Sequence, residues 1–139
     1  MSSVPALLRE LVIERAAGRC EYCRLSQEGQ EATFHIDHVI PIAAGGLTIE
    51  ENLALACVSC SLRKAARQRA VDPQTGVEVA LYNPRHDDWS QHLRWENVHL
   101  IGLSATGRAT IHALKLNRPL ILAIRAEEAA LGRHPGPQS

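Results

Sequence analysis

Apolar positions recur at helical spacing near the start of the chain and alternate with polar positions soon afterwards. Four of them share one predicted helical face: Leu7, Leu8, Leu11 and Val12. They predict an amphipathic packing helix over residues 4–17, which Gly18 can end. Alternation then predicts a strand over residues 32–37, in which His35 and Asp37 share one face.

The middle of the chain predicts short elements separated by turns. Residues 48–52 resemble a helical turn opened by Thr48, and residues 53–56 are predicted to form a second strand. A helix is predicted to begin near Ser59 and to run through Arg69. A turn rich in Asp, Pro and Gly separates this helix from the next apolar run.

Beyond that turn the pattern predicts alternating strands and helices. The predicted elements are a strand at 77–82, a helical face with Trp89 and Leu93, a strand at 98–103, a helix at 105–117 capped by Ser104 and a helix from Pro119 to about Leu131. Residues 132–139 are predicted to be a disordered tail. His86, Asp87 and Asp88 are interpreted as a polar helix start rather than as a metal site.

Composition places the chain among ordinary globular proteins. Its 139 residues suffice for one compact domain, and 45% of them are apolar. Neither an internal repeat nor a long linker divides the sequence, so residues 1–139 are predicted to form a single domain. The formal net charge is zero, so nucleic-acid binding would need a local basic patch rather than an overall charge.

The sequence lacks the long apolar segments of membrane proteins. No apolar run approaches the length of about 20 residues that a membrane span needs. Arg9, Glu10, Glu14 and Arg15 interrupt the apolar stretch that a signal peptide would require. We therefore expect a cytoplasmic protein with no membrane partner and with reduced thiols.

Four cysteines occur as two C-x-x-C pairs, Cys20 with Cys23 and Cys57 with Cys60. Four sulfurs can complete a tetrahedral zinc site with no open position, so the predicted zinc is structural. Such an ion would tie a knuckle at residues 19–25 to the start of the predicted helix. Two alternatives remain open: four reduced, buried cysteines, or a redox-active C-x-x-C pair.

Five features in and after this region follow one another in order: Asp37-His38, Pro41, Gly45-Gly46, Asn52-Leu53, and the pair Cys57 and Cys60 at the entry to a helix. In this order and spacing the sequence resembles the HNH endonuclease family over roughly residues 20–64. The resemblance implies an α+β fold, a small zinc-stabilised ββα-metal (treble-clef) finger with flanking helices and a C-terminal α/β extension. The finger is expected at residues 18–70, and the extension at residues 71–131 is expected to pack on it.

The resemblance also implies metal-dependent hydrolysis of DNA phosphodiester bonds. Asp37 is the expected ligand of a catalytic Mg²⁺ or Mn²⁺, because hard cations prefer carboxylate oxygen. His38 is the expected general base, since a neutral imidazole can take the proton of an attacking water. By resemblance, Asn52 orients that histidine, either by accepting a hydrogen bond or by bracing the loop.

One position departs from the commonest family pattern, in which the last residue of the motif is a metal-ligating His or Asn. Ser61 stands there, and its hydroxyl is a weaker ligand than an imidazole. His35 can compensate as a ligand of the catalytic metal, because it shares the strand face of Asp37. The alternatives are that Ser61 caps the helix and that His35 bonds a local carbonyl group.

Basic side chains follow the second cysteine pair directly. Arg63, Lys64 and Arg67 are the predicted DNA-binding residues, because they would lie on neighbouring positions of a helix beside the metal site. A solvated helix face is the alternative interpretation. Arg85 and Arg108, in the extension, are further candidates for phosphate contact.

The sequence leaves three functions to be compared. The favoured function is that of an HNH endonuclease acting on DNA, with a structural zinc and a catalytic Mg²⁺ or Mn²⁺. The alternatives are a catalytically inactive zinc-finger module that binds nucleic acid and a protein-interaction domain. A single site predicts nicking by a monomer, whereas cutting both strands would need a homodimer or two events.

Overall fold

The structure is a computed structural model that describes residues 4–137. This part of the chain mixes five α-helices with three two-stranded antiparallel sheets, which confirms the predicted combination of helices and strands. In chain order the elements are α1 (Ala6–Arg15), β1 (His35–His38), β2 (Leu53–Ala56), α2 (Val58–Lys64), β3 (Arg69–Val71), β4 (Glu78–Ala80), α3 (Trp89–His92), β5 (Leu93–Glu96), β6 (His99–Gly102), α4 (Ala105–Leu114) and α5 (Pro119–Ala130). Residues 138–139, the end of the predicted tail, lie outside the described residues.

The hairpin of β1 and β2 supports most of the candidate site. His35 lies opposite Ala56, and His38 lies opposite Leu53 in its antiparallel register. The strand predicted at 53–56 is confirmed, and all four of its residues are buried. The other strand is displaced towards the C-terminus relative to its prediction, so that it includes both histidines.

α2 is shorter than the sequence predicts. Cys57 caps its N-terminus, where the Sγ atom accepts a hydrogen bond from the amide of Cys60 at 3.4 Å. The helix ends at Lys64 because Ala65 adopts a positive φ of 48°, which is incompatible with a continuing right-handed helix. Arg69, predicted as the last helical residue, instead begins β3.

α1 confirms the first predicted helix but corrects its buried face. Val12 is fully buried and Leu8 packs against the core, whereas Leu7 is 82% exposed and Leu11 is 40% exposed. The helix therefore contacts the rest of the molecule along a narrow line rather than over the broad apolar face that the spacing predicted.

Arg15 adds a polar attachment at the end of α1. Its guanidinium donates hydrogen bonds to two carbonyl oxygens, one in the 3-10 turn at Glu50–Asn52 and the other on Leu53, at 2.9 and 2.6 Å. This turn lies within the predicted segment, but its N-cap is Ile49 and has no side-chain cap. Thr48 therefore does not open the turn, and its hydroxyl has another partner in the candidate site.

One apolar core contains side chains from both halves of the chain. Its most deeply buried large members include Tyr22, Leu53, Leu55, Leu93, Leu100, Leu114, Leu116 and Ile121. The indole N–H of Trp89 donates to the carbonyl oxygen of Tyr22 at 3.1 Å, so the polar atom of this buried ring is satisfied. Leu93 is extended and begins β5, which corrects the predicted helical face.

The extension consists of two short hairpins, β3–β4 and β5–β6, with the one-turn helix α3 between them and the longer helices α4 and α5 after them. α4 and α5 were predicted, and Ser104 caps α4 by accepting a hydrogen bond from the amide of Gly107 at 3.0 Å. Gly107 permits a close approach, because a Cβ atom there would lie 2.0 Å from the carbonyl oxygen of His92. Within the described residues, none of the helices combines the length and the apolar character needed to cross a bilayer.

The beginning of the predicted tail makes specific contacts. Arg133 pairs with Glu128 at 2.7 Å, and the ring of His134 lies 4.5 Å from the ring of Trp95. The Nε2 atom of His134 also lies 2.9 Å from the carbonyl oxygen of Asn97. These contacts hold the segment that follows α5 against the β5–β6 hairpin.

Asp72 joins the turn between β3 and β4 to α4. Its buried carboxylate accepts two hydrogen bonds from the guanidinium of Arg108, at 3.0 and 2.9 Å. The amide of Gln74 and the hydroxyl of Thr75 donate to the same carboxylate. These bonds, with that of Arg108 the strongest influence, hold the pKa of Asp72 well below its ordinary value.

We expect Asp72→Asn to lower the free energy of unfolding at pH 7, because the variant loses the charged acceptor of a bidentate pair. Since the folded-state pKa is depressed, the stabilisation is complete above the ordinary carboxyl pKa of about 4 and is lost as the pH falls below it. Denaturant titration should therefore show a larger difference between wild type and variant at pH 7 than at pH 3. Glu78→Gln, which removes an exposed pair, is the control; an equal Asp72 effect at both pH values would contradict the prediction.

Candidate functional site

The sulfur atoms of the four cysteines meet at one point in the core. All four side chains are buried, and their Sγ atoms lie within 4.8 Å of one another: Cys20, Cys23, Cys57 and Cys60. Those of Cys23 and Cys57 are 3.7 Å apart. A tetrahedron with zinc–sulfur bonds of about 2.3 Å has edges of about 3.8 Å, so the cluster has the size and the donor chemistry of a structural zinc site.

The proton balance of the cluster also favours a cation. Hydrogen bonds among the sulfurs lower the pKa of Cys57 and raise the pKa values of Cys23 and Cys60. Adjacent buried thiolates repel one another, so the four cannot ionise together unless a cation lies among them. A divalent ion would remove this conflict, and the tetrahedral spacing of the four sulfurs is the observation that distinguishes the cluster from four separate reduced thiols.

An open cleft has a volume of about 820 Å³, and most of the predicted catalytic residues line it. His35, Asp37 and His38 of β1 line it together with Ser61 of α2. α1 contributes Arg9 to the same lining. The fold therefore brings an acid, two imidazoles, a hydroxyl and a guanidinium to one solvent-accessible space.

Asp37 is held by two side chains from other elements. The hydroxyl of Tyr22 donates to its Oδ2 at 2.8 Å, and the Nζ atom of Lys64 lies 3.2 Å from Oδ2 and 3.5 Å from Oδ1. Burial raises the pKa of Asp37, while Lys64 and the hydrogen bond from Tyr22 act in the opposite direction. Oδ2 is the more fully engaged oxygen, so Oδ1 is the better candidate for an additional ligand.

His38 has a partner that the sequence did not reveal. Its Nε2 atom lies 2.9 Å from the hydroxyl of Thr48, in the loop that leads towards β2. Lys64 donates a hydrogen bond to the backbone carbonyl of His38 at 3.2 Å, so this one ammonium group contacts both Asp37 and His38. The ring is therefore fixed from the side of the loop, and its backbone is fixed from the side of α2.

His35 and Ser61 lie together, as their predicted common role requires. The Nδ1 atom of His35 is 2.9 Å from the Oγ atom of Ser61, and the histidine is exposed to solvent. Cys57, not Ser61, is the side-chain cap of α2. The hydroxyl and the imidazole thus occupy neighbouring positions in the cleft.

Asn52 contacts the loop rather than the ring of His38. Its Oδ1 accepts a hydrogen bond from the amide of Ile40 at 2.8 Å, and its Nδ2 donates to the carbonyl oxygens of Ile40 and Leu47 at 3.0 and 2.9 Å. Gly46 makes this arrangement possible, because a Cβ atom there would lie 1.8 Å from the carbonyl oxygen of Ile40. Of the two ways in which the amide was expected to act, this is the bracing of the loop.

The predicted basic side chains do not share one helical face, because α2 ends at Lys64. Lys64 is only 2% exposed and is paired inside the molecule, so it does not offer its charge to a phosphate at the surface. Arg63 remains on α2 and donates to the hydroxyl of Ser59 at 3.2 Å. Arg67 lies beyond the helix, where it is exposed and donates to the carbonyl oxygen of Ala113 at 3.0 Å.

The two arginines of the extension serve internal pairs instead of a phosphate surface. Arg85 pairs with the buried Glu21, and Arg108 pairs with Asp72. Arg9, by contrast, was not predicted, because α1 precedes the region of resemblance and gives no signal that it reaches the cleft. Its Nη2 atom lies 3.4 Å from the carbonyl oxygen of Phe34, which places a cation at the beginning of β1.

Comparison with known proteins identifies the same region of the chain. Residues 20–67 match the family described as HNH endonuclease, which confirms the resemblance over this segment. The match includes the cysteine cluster, β1, β2 and α2, and it excludes α1 and the whole of the extension. No curated protein matches the chain.

We expect Cys60→Ser to lose bound zinc and to lower the free energy of unfolding by more than about 3 kcal/mol, because structural zinc contributes on the order of 10 kcal/mol to folding of small domains. Metal analysis of the purified protein and thermal unfolding with and without a chelator measure both effects. Ser90→Ala, a conservative change at an exposed serine, is the control. Full zinc content in Cys60→Ser would show that the cluster does not hold the ion through four sulfurs.

Proposed function

We propose that this protein is a metal-dependent endonuclease that hydrolyses DNA phosphodiester bonds. The observation that carries the proposal is that Asp37 and His38, consecutive in a segment that matches HNH endonucleases, both line one open cleft. A carboxylate and a neutral imidazole are the groups that metal-assisted hydrolysis with a general base requires. The hairpin and α2 would then form a ββα-metal (treble-clef) finger around the structural zinc.

The donor set in the cleft suits Mg²⁺ or Mn²⁺. Among residues 4–137, the cysteines form the one group of three or more Cys, His, Asp or Glu ligands close enough to share an ion. Magnesium keeps several waters and uses one or two carboxylates together with substrate phosphate oxygens. Asp37, with Ser61 or His35 as a further ligand, is sufficient for such an ion. When bound, the ion would neutralise the phosphate and assist the leaving oxygen.

His38 is proposed to accept the proton of the attacking water. Since Thr48 engages Nε2, Nδ1 is the nitrogen available to the water. In this proposal the neutral His38 ring is the tautomer with its proton on Nε2, so that the Nε2–H group donates a hydrogen bond to the Thr48 hydroxyl oxygen. Asn52 would orient the base through the loop, because it binds the carbonyl of Leu47, the residue immediately before Thr48.

Asp37 is proposed to enter the reaction already ionised and oriented. Lys64 and Tyr22 oppose the effect of burial on its pKa and bind mainly Oδ2. The carboxylate therefore does not have to rotate when an ion approaches Oδ1, and less ordering is required at the moment of binding. In this proposal Lys64 positions the metal ligand and does not contact DNA.

The inactive binding module is the less favoured alternative. Its supports in the sequence are the weak ligand at Ser61 and the zero net charge. The imidazole of His35 lies 2.9 Å from that hydroxyl, so a strong donor is present beside the weak one. The match to HNH endonucleases does not favour the module either.

DNA contact is proposed for arginines in and beside the cleft. Arg9 lines the cleft, whereas Arg63 and Arg67 lie on and just after α2. A guanidinium that contacts phosphate holds the DNA without reading its sequence. One cleft per chain predicts nicking of a single strand, and a homodimer would be required to cut both strands together. A reducing compartment such as the cytoplasm would keep the cysteines available for zinc.

We expect His38→Ala to reduce the nicking of supercoiled plasmid in Mg²⁺ or Mn²⁺ by roughly 10²- to 10⁴-fold, the usual contribution of a general base. Zinc content and thermal stability should be unchanged. His99→Ala, at an exposed histidine on β6, is the matched control and should cut at the wild-type rate. Nicking by His38→Ala at the wild-type rate would remove His38 from the mechanism.

We expect Arg9→Gln to weaken the binding of a short DNA duplex and to reduce the slope of log K against log salt by about one unit, because one phosphate contact is lost. Fluorescence anisotropy in a His38→Ala background avoids cleavage during the titration. Arg94→Gln removes an exposed arginine from β5 and is the control. An unchanged salt slope in Arg9→Gln would exclude a phosphate contact at Arg9.

A further inference from the structure

Arg125 is a buried cation on α5, outside the segment that matches HNH endonucleases. Its side chain is only 2% exposed. The Nη1 atom donates to the carbonyl oxygen of Val98 at 2.9 Å and to Oδ1 of Asn117 at 3.3 Å. The guanidinium carbon lies 5.0 Å from the centre of the Trp95 ring.

These contacts leave part of the guanidinium unexplained. The Nη2 atom is buried and has no hydrogen-bond partner within residues 4–137. In the same part of the chain Arg125 forms no ion pair, and the nearby carboxylate of Glu128 is engaged by Arg133 at 2.7 Å. A buried cation without a counter-charge is strongly unfavourable, so the position calls for an anionic group that the hydrogen bonds do not reveal.

The cysteine cluster is a group that can supply this negative charge. Arg125 and Cys23 line the same small cavity, of about 10 Å³, which is near the lower limit for one water molecule. Burial lowers the pKa of Arg125, whereas the thiolate charges of Cys23, Cys60 and Cys20 raise it. A zinc ion with four thiolates carries a net charge of −2, which would remain uncompensated if only the cysteines and the ion were considered.

We propose that Arg125 is the counter-charge of the zinc centre, and that α5 thereby makes the extension part of the metal site. The guanidinium offsets part of the negative charge of the tetrathiolate across the small cavity. Its contacts with the Trp95 ring and the Val98 carbonyl hold it in place. The carboxylate of Glu128 lines the same cavity but is paired with Arg133. This role is independent of the nuclease reaction and requires only that zinc occupies the cluster.

The test compares zinc retention in Arg125→Met, Arg125→Lys and wild type. Methionine keeps an apolar stem but removes the charge, whereas lysine keeps a charge. Purified, zinc-loaded proteins are titrated with a chromogenic chelator, and the released zinc is measured. We expect Arg125→Met to bind zinc at least tenfold more weakly, the usual effect of losing an outer partner of a metal site. Arg125→Lys should lie close to wild type, and the exposed Arg94→Met should equal it.

Each result bears on the proposal. Wild-type retention in Arg125→Met overturns it, and so does an equal loss in the Met and Lys variants, which would indicate packing rather than charge. Circular dichroism at saturating zinc monitors folding. If Arg125→Met does not fold, the zinc retention of Arg125→Lys is the deciding measurement. Retention close to wild type then supports the proposal, and a tenfold loss contradicts it. A wild-type protein that binds no zinc overturns the proposal and leaves the nicking assay of His38→Ala as a separate test of the nuclease.

Discussion

The convergence of four sulfurs is the constraint on which the other features depend. Cys23 and Cys57 are 34 positions apart in sequence, yet their sulfurs lie 3.7 Å apart. Because Cys57 also caps α2, the cluster fixes the start of the helix from which Ser61 lines the cleft and Lys64 contacts Asp37. A chain of this size with few aromatic residues has little other means to hold a short helix against a two-stranded hairpin.

Buried polar contacts extend this constraint from the cluster to the rest of the molecule. Glu21, in the cysteine knuckle, accepts a hydrogen bond from the amide of Leu55 at 2.8 Å and pairs with Arg85 of the extension. Burial raises the pKa of Glu21, so the basic partner matters for keeping it ionised. Lys64 makes a similar buried link to Asp37 within the segment that matches HNH endonucleases, and the proposed role of Arg125 would add one from α5 to the cluster. The extension is therefore a source of internal charge for the finger as well as of apolar surface.

Local signals in the sequence were sufficient for the strand at Leu53–Ala56, for α4 and α5, and for the cysteine cluster, because period, caps and ligand spacing lie within short windows. β3 and β5 were not predicted, because they are short and are strands only through their hydrogen bonds with β4 and β6. The end of α2 depends on a positive φ at Ala65, and an alanine in the sequence does not predict such a backbone conformation. The burial of Lys64 and the reach of Thr48 to His38 are contacts between distant positions, which residue type alone does not predict.

The lining of the cleft also has a consequence for how the chain can be joined to other sequences. Val4 lies at the cleft together with Arg9, so the polypeptide leaves α1 in the N-terminal direction beside the reacting groups. If the cleft binds DNA as proposed, a peptide or domain fused ahead of Val4 would be tethered beside it. A fused DNA-reading domain would have a high effective concentration at the cleft, whereas a bulky fusion there would obstruct the substrate.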